Sequence, residues 1–222
     1  MKMLLLALFQ IFCLSGWSQN KDWFISLSTS YMVNGPGYQV KEKMHEQFFN
    51  SNEIGLLWDH DNPFRGWSLN LMARGGKNVS PKTMVYALAG LADQGWVRGY
   101  SESATFIPGA ESHPRIDYKL YQFAAGLMYC PGKVMAGLAP SVFLMDYRFH
   151  GENNKNTVSP ALNFSLQVPV SNHKKNPGLD LLLDANYGIP MKMKRDSQGS
   201  EFFQPGTLKM FNCSFGLAIT LR

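Results

Sequence analysis

The C-terminal stretch FNCSFGLAITLR constrains this chain more than any other. Phe211, Cys213, Phe215, Leu217, Ile219 and Leu221 alternate with Asn212, Ser214, Gly216, Ala218 and Thr220. A period of two sustained over ten residues is a strand whose faces meet different surroundings, because successive side chains leave a pleated backbone on opposite sides. The polar face decides which surroundings these are. It holds small neutral residues and no charge, whereas a sheet face in water is normally dressed in Lys and Glu. Small polar groups suit a narrow barrel lumen, and the apolar face is then left for lipid.

The same pattern recurs along the chain. In 158–170, Val158, Pro160, Leu162, Phe164, Leu166 and Val168 alternate with Ser159, Ala161, Asn163, Ser165 and Gln167. In 179–189, Leu179, Leu181, Leu183, Ala185, Tyr187 and Ile189 alternate with a face that carries Asp180 and Asp184. Shorter alternating runs lie at 23–33, 54–58, 67–73, 121–129 and 134–144. These predict an all-β chain: an antiparallel up-and-down transmembrane barrel of eight strands, with ten as the alternative. Long connectors at 34–52, 75–114, 150–156 and 190–206 alternate with short ones at 61–65, 130–132 and 171–177. Strict alternation of this kind places both termini on the short-turn side. Within 75–114, Ser80-Pro81 reads as a helix start, Met84, Leu88 and Leu91 fall at helical spacing, and Gly95 reads as a stop. A hairpin over 83–92 and 96–106 is the other reading and gives ten strands. Eight strands with a structured outer loop is the expectation.

The N-terminus addresses the chain. Lys2, the apolar run Leu4 to Leu14, and Gly16-Trp17-Ser18 form a signal peptide over 1–18, with cleavage before Gln19. The remainder, 19–222, reads as one barrel domain. Only 17% of the chain is charged and 13% is aromatic, which excludes a disordered chain, and the mean hydropathy of −0.17 excludes a bundle of membrane helices. Long uncharged stretches such as 134–145 have about half the ~20 residues a spanning helix needs. Trp23, Trp58, Trp67 and Tyr129 fall beside the chain start or a short turn, as an interfacial girdle requires. Cys130 and Cys213 survive cleavage, and their strands lie on opposite walls, too far apart for a disulfide.

With these strands and the terminal segment in view, the chain resembles the small outer-membrane β-barrels of Gram-negative bacteria, such as the OmpX/OmpW and PorT-like barrels. The resemblance implies a location in the outer membrane, with lipid and lipopolysaccharide as surroundings and other envelope proteins as partners. Some barrels of this size are lipid A acyl hydrolases, and that likeness would require a His-x-Ser pair on a strand. None of His45, His60, His113, His150 and His173 has Ser two residues on.

The remaining chemistry is sparse. Asp59-His60-Asp61 places three ligand types together, but strand neighbours point to opposite faces and Asp61-Asn62-Pro63 is turn chemistry. Asp180 and Asp184, with Glu53 and Arg74 on polar faces elsewhere, predict a lumenal salt-bridge plug rather than a gated pore, since an eight-stranded interior is filled by side chains. The net charge of +5 lies mostly in connectors: Lys41 and Lys43, Lys77 and Lys82, Lys174 and Lys175, and Lys192, Lys194 and Arg195. An exported chain without a basic face is not a nucleic-acid binder, whereas Lys192-Met-Lys194-Arg195 suits lipopolysaccharide phosphates. No catalytic, cofactor or metal residues are assigned. The expected function is a non-enzymatic outer-membrane barrel acting through its outer loops in adhesion, assembly or secretion. A membrane-embedded lipid A hydrolase and a secreted soluble barrel binding an apolar ligand are the alternatives.

Overall fold

The computed structural model describes residues 23–33, 36, 39–40, 43, 67–98, 115–149, 152–170, 178–194 and 206–221. Eight strands run in chain order: β1 (Trp23–Val33), β2 (Trp67–Ser80), β3 (Thr83–Arg98), β4 (Arg115–Tyr129), β5 (Met135–Phe149), β6 (Lys155–Pro169), β7 (Gly178–Lys192) and β8 (Thr207–Leu221). Each pairs antiparallel with the next, and β8 returns to β1 to close the barrel.

The alternation read from the sequence becomes an inside and an outside. Outward positions stay exposed: Leu138 at 60%, Tyr187 at 73% and Phe215 at 59%. Inward positions are polar and sealed, with Asn163, Ser165, Gln167, Asp180 and Asp184 all at 0%. A soluble ligand-binding barrel has the reverse arrangement, so the soluble alternative fails on this observation. Lipid as the outer solvent is the physical condition under which such a surface is stable. Apart from β1, the strands have 14 to 16 residues, more than the ~9–11 needed to cross a bilayer. Their outer ends carry charge on the outward face, at Asp117, Lys119, Asp146, Arg148, Lys192 and Lys209, so the wall continues above the apolar band.

β1 has only 11 residues. It ends at Val33, opposite Cys213 on one side and Trp67 on the other, and so leaves 207–212 of β8 without a β1 neighbour. Gln39 takes one of those places. Its Nε2 donates to the Lys209 carbonyl at 2.5 Å and its Oε1 accepts from the Lys209 N–H at 2.7 Å. Lys43 Nζ donates to the Thr207 carbonyl at 2.8 Å. A side-chain amide thus supplies the donor and acceptor that a strand residue would have offered.

The strand count is as expected, but the strands that make it up change: β1 pairs directly with 67–77, and 83–98 supplies a strand. The stretch after Ser80-Pro81, expected as a helix that stops at Gly95 within the 75–114 loop, instead forms β3 over 83–98, and 75–80 complete β2. Val85, Ala87, Ala89 and Leu91 face outward while Tyr86 and Leu88 face inward, so the helical spacing of Met84, Leu88 and Leu91 is incidental. Ser80-Pro81 makes a tight turn, not a helix cap, with Lys82 N–H on Ser80 Oγ at 3.4 Å. The outer connector after β3 is therefore 99–114, the first connector spans 34–66, and the last is 193–206. The expected strand at 54–58 and the turn at 61–65 lie outside the described residues. Trp67 begins β2 opposite Val33, at the long-connector end, and not beside a short turn. Trp23 and Tyr129 do mark the short-turn end, with Lys77 Nζ 5.3 Å from the Trp23 ring. Cys130 follows β4 and Cys213 lies in β8 beside Ala185, both as thiols.

The closing seam is tight. A Cβ on Gly216 would lie 2.0 Å from the Thr29 carbonyl oxygen and 2.4 Å from Ser30 Cα. Gly216→Val should therefore push β8 from β1 and destabilise the barrel by about 1–3 kcal/mol. Urea unfolding in lipid vesicles measures this; wild-type stability in that variant would show that the seam has slack.

Candidate functional site: the lumen and the outer rim

The lumen is built from inward positions that the strand period supplies. Arg74 of β2 reaches across to β7, where its Nη2 meets Asp184 Oδ1 at 3.0 Å and Oδ2 at 3.3 Å. Its Nη1 donates to Gln167 Oε1 of β6 at 3.1 Å, and its guanidinium lies 5.6 Å from the Tyr86 ring. Gln167 Nε2 donates to Thr220 Oγ1 at 3.0 Å and to Asp180 Oδ2, and Thr220 Oγ1 donates to Asp180 Oδ2 at 2.7 Å. Charge on these groups is tolerated because partners replace the lost water.

A second set continues from Tyr86. Its hydroxyl donates to Asn163 Oδ1 at 3.1 Å, and Asn163 Nδ2 donates to Asn186 Oδ1 at 2.9 Å. Gln122 Nε2 donates to the same oxygen at 2.7 Å, and Asn186 Nδ2 donates to Asn212 Oδ1 at 2.9 Å. The two sets together tie β2, β3, β4, β6, β7 and β8 through direct side-chain bonds.

Apolar layers close both ends of this polar zone. Toward the short turns are Phe24, Met72, Met128 and Met135. Toward the long connectors are Ile116, Phe143, Met145, Met191 and Met210, and Val40 from the first connector is fully buried among them. Tyr147 fixes the start of the last connector, donating to the Lys194 carbonyl at 3.3 Å and accepting the Lys194 N–H at 2.8 Å. The rim outside is polar: a groove of about 520 Å³ is lined by Gln94, Asp117, Lys119, Asp146 and Arg148, with Arg148 on Asp117 at 3.1 Å.

The residues expected to plug the lumen separate clearly. Asp180, Asp184 and Arg74 are brought together, and Glu53 lies outside the described residues. All five histidines and Asp59-His60-Asp61 also lie outside them, as do Lys41, Lys174, Lys175 and Arg195. Among the described residues no three His, Cys, Asp or Glu side chains group as a metal site. Of the network's neutral members, Asn163, Gln167 and Asn212 are read from sequence only as polar-face positions, and Tyr86, Gln122 and Asn186 carry no sequence signal beyond their inward register. Gln39 and Val40 carry no such signal, since their roles depend on contacts with strands far along the chain.

What this arrangement does chemically is hold the barrel shut. Arg74→Met would leave Asp184 buried without its cation and should cost about 3–5 kcal/mol. Arg74→Met/Asp184→Leu should recover most of that loss in urea unfolding, because removing both charges removes the desolvation penalty. Equal stability of the single and double variants would show that the pair is not coupled.

No protein-family model matches the sequence, and no curated protein does. Among solved structures the chain is similar to Neisserial surface protein A, with 11% identity over 90% of this chain and 96% of that one, at a TM-score of 0.45. It is also similar to Ail, the attachment invasion locus protein of Yersinia pestis, with 12% identity, 91% and 100% coverage, and a TM-score of 0.37. The N-terminal β-barrel domain of Pseudomonas aeruginosa OprF gives 7% identity, 91% and 100% coverage, and a TM-score of 0.34.

Proposed function

We propose that this chain is an outer-membrane barrel of a Gram-negative bacterium that works without catalysis, through its outer rim and long connectors, in adhesion, assembly or secretion. One observation carries the reading. The wall presents an apolar face outward and, among the described residues, the inward side chains are buried in polar and apolar layers, so the accessible chemistry lies toward the outer ends of the strands. The signal-peptide pattern of 1–18 supports export, and up-and-down strand parity supports termini and short turns in the periplasm. Lys43, Lys192 and Lys209 stand at the outer ends of β7 and β8, above Tyr187, Ile189 and Phe211, where lipopolysaccharide phosphates meet the acyl layer.

Topology and role are tested together in the native host. Trypsin applied to intact cells should cut within 34–66 and 193–206, and should spare 171–177 despite Lys174 and Lys175. Cleavage at Lys174 with the outer connectors intact would invert the topology. A deletion strain complemented with a barrel whose 99–114 connector is replaced by a short Gly-Ser link should resemble the deletion in surface adhesion and in secreted-protein yield. Full restoration of both by the shortened barrel would sink the proposed role of that connector. Lipid A from the deletion and wild-type strains should give identical mass spectra; a missing acyl chain in one of them would mark an enzyme instead.

A further inference from the structure

Sulfur collects at the short-turn end of the lumen. Met84 of β3 faces Met128 of β4 across the ladder, on the inward side. Cys130 stands two positions beyond Met128. Its N–H donates to the Lys82 carbonyl at 2.7 Å, so the inward register continues past the end of β4. Pairing of β4 with β5 runs Met128↔Gly137 and Tyr129↔Ala136, and its next step sets Cys130 opposite Met135. Opposed side chains on one face of a ladder have Cβ atoms about 5 Å apart. Met128 and Met135 belong to the buried apolar layer, and Met84 and Cys130, both partly buried, pack against it. One thiol and three thioethers therefore adjoin on neighbouring strands.

The outward positions of the same stretch are apolar without sulfur: Val85, Leu127, Val134 and Leu138. Gly137 leaves the inward place beside Met135 without a side chain, and the Tyr86 ring occupies it. A Cβ on Gly137 would lie 3.1 Å from Tyr86 Cε1. Tyr86 thus stands between the sulfurs and Asn163, to which its hydroxyl donates. The group is closed toward the polar lumen and partly open, at Met84 and Cys130, toward the short turns. Thiolate and thioether sulfur are soft ligands that select Cu(I), whereas carboxylate, carbonyl and water suit harder ions. Charge agrees with that choice. One Cys130 thiolate cancels a single positive charge and the thioethers are neutral, so a monovalent ion is buried without net charge. A divalent ion would keep one charge unpaired in an apolar layer. The unbranched, freely turning methionine side chain lets three sulfurs converge on one ion.

We propose that Cys130, Met84, Met128 and Met135 form a binding site for one soft monovalent cation, Cu(I) or its chemical analogue Ag(I), at the short-turn mouth of the barrel. The ion arrives already monovalent. The Cys130 S–H gives its proton to solvent as the metal–sulfur bond forms, and no electron is transferred. The site lies at the opposite end from the outer rim and stands or falls independently of the role proposed for that rim. The test uses the full mature chain folded in detergent micelles, with Ag(I) as the air-stable probe and Cu(I) under ascorbate as a second arm. Native mass spectrometry should show one ion retained per chain in either arm, and none when Zn(II) is offered. Cys130→Ser should lose the ion, whereas Cys213→Ser should keep it. Met84→Leu/Met135→Leu preserves apolar volume and should weaken Cu(I) binding by about tenfold or more in competition with bathocuproine disulfonate. Heat-modifiable gel migration confirms a closed barrel in each variant, and the methionine pair serves if Cys130→Ser does not fold. A wild-type chain that retains no ion, or a Cys130→Ser chain that retains it, overturns the proposal. So does an unchanged Cu(I) affinity in the methionine pair, or Zn(II) held as tightly as Cu(I).

Discussion

Everything in this molecule follows from the demand that backbone N–H and C=O groups in lipid find partners inside the protein. A sheet with a free edge cannot meet that demand, so β8 must return to β1, and the closed ring fixes what each side chain sees. Once the ring exists, residues one apart in sequence are committed to opposite solvents. Apolar residues outside and small polar residues inside are then consequences of closure. The places where closure is imperfect are the informative ones: the tight β1–β8 seam and the short β1.

The lumen shows how a narrow interior manages charge. Among the described buried residues Arg74 is the one cation, against Asp93, Asp180 and Asp184. It meets Asp184 directly and is linked to Asp180 through Gln167, so a neutral amide joins the charged groups. Asn186 likewise joins Asn163, Gln122 and Asn212 at one point. Amides can both donate and accept, which lets one side chain link several strands where a carboxylate could only accept. The lumen is held mainly by such connectors, with Arg74, Asp180 and Asp184 toward the short turns and Asp93 toward the outer ends of the strands.

Most of this architecture was legible in the sequence, because an uncharged period-two pattern has few other physical meanings. β5 to β8 read clearly from Leu, Phe and Val at outward positions. β3 did not, since its outward face is Val85, Ala87, Ala89 and Leu91, and two alanines give little contrast against an inward Gly90. The chance helical spacing of Met84, Leu88 and Leu91 then filled the gap. The ion pair of Arg74 with Asp184 was readable as inward charges, but its geometry depends on how far strands on opposite walls approach. That distance is set by the whole ring and by no local pattern.

The contact of Gln39 with β8 has a consequence in time. The first long connector is anchored to Thr207 and Lys209, more than 160 residues further along the chain. Val40, on the same segment, belongs to the apolar layer that also holds Leu208 and Met210 of that strand. The outer mouth therefore cannot take its final shape from β1 and its connector alone. It waits for β8 to take its place in the ring, and the first connector acts as a clasp that fastens only then.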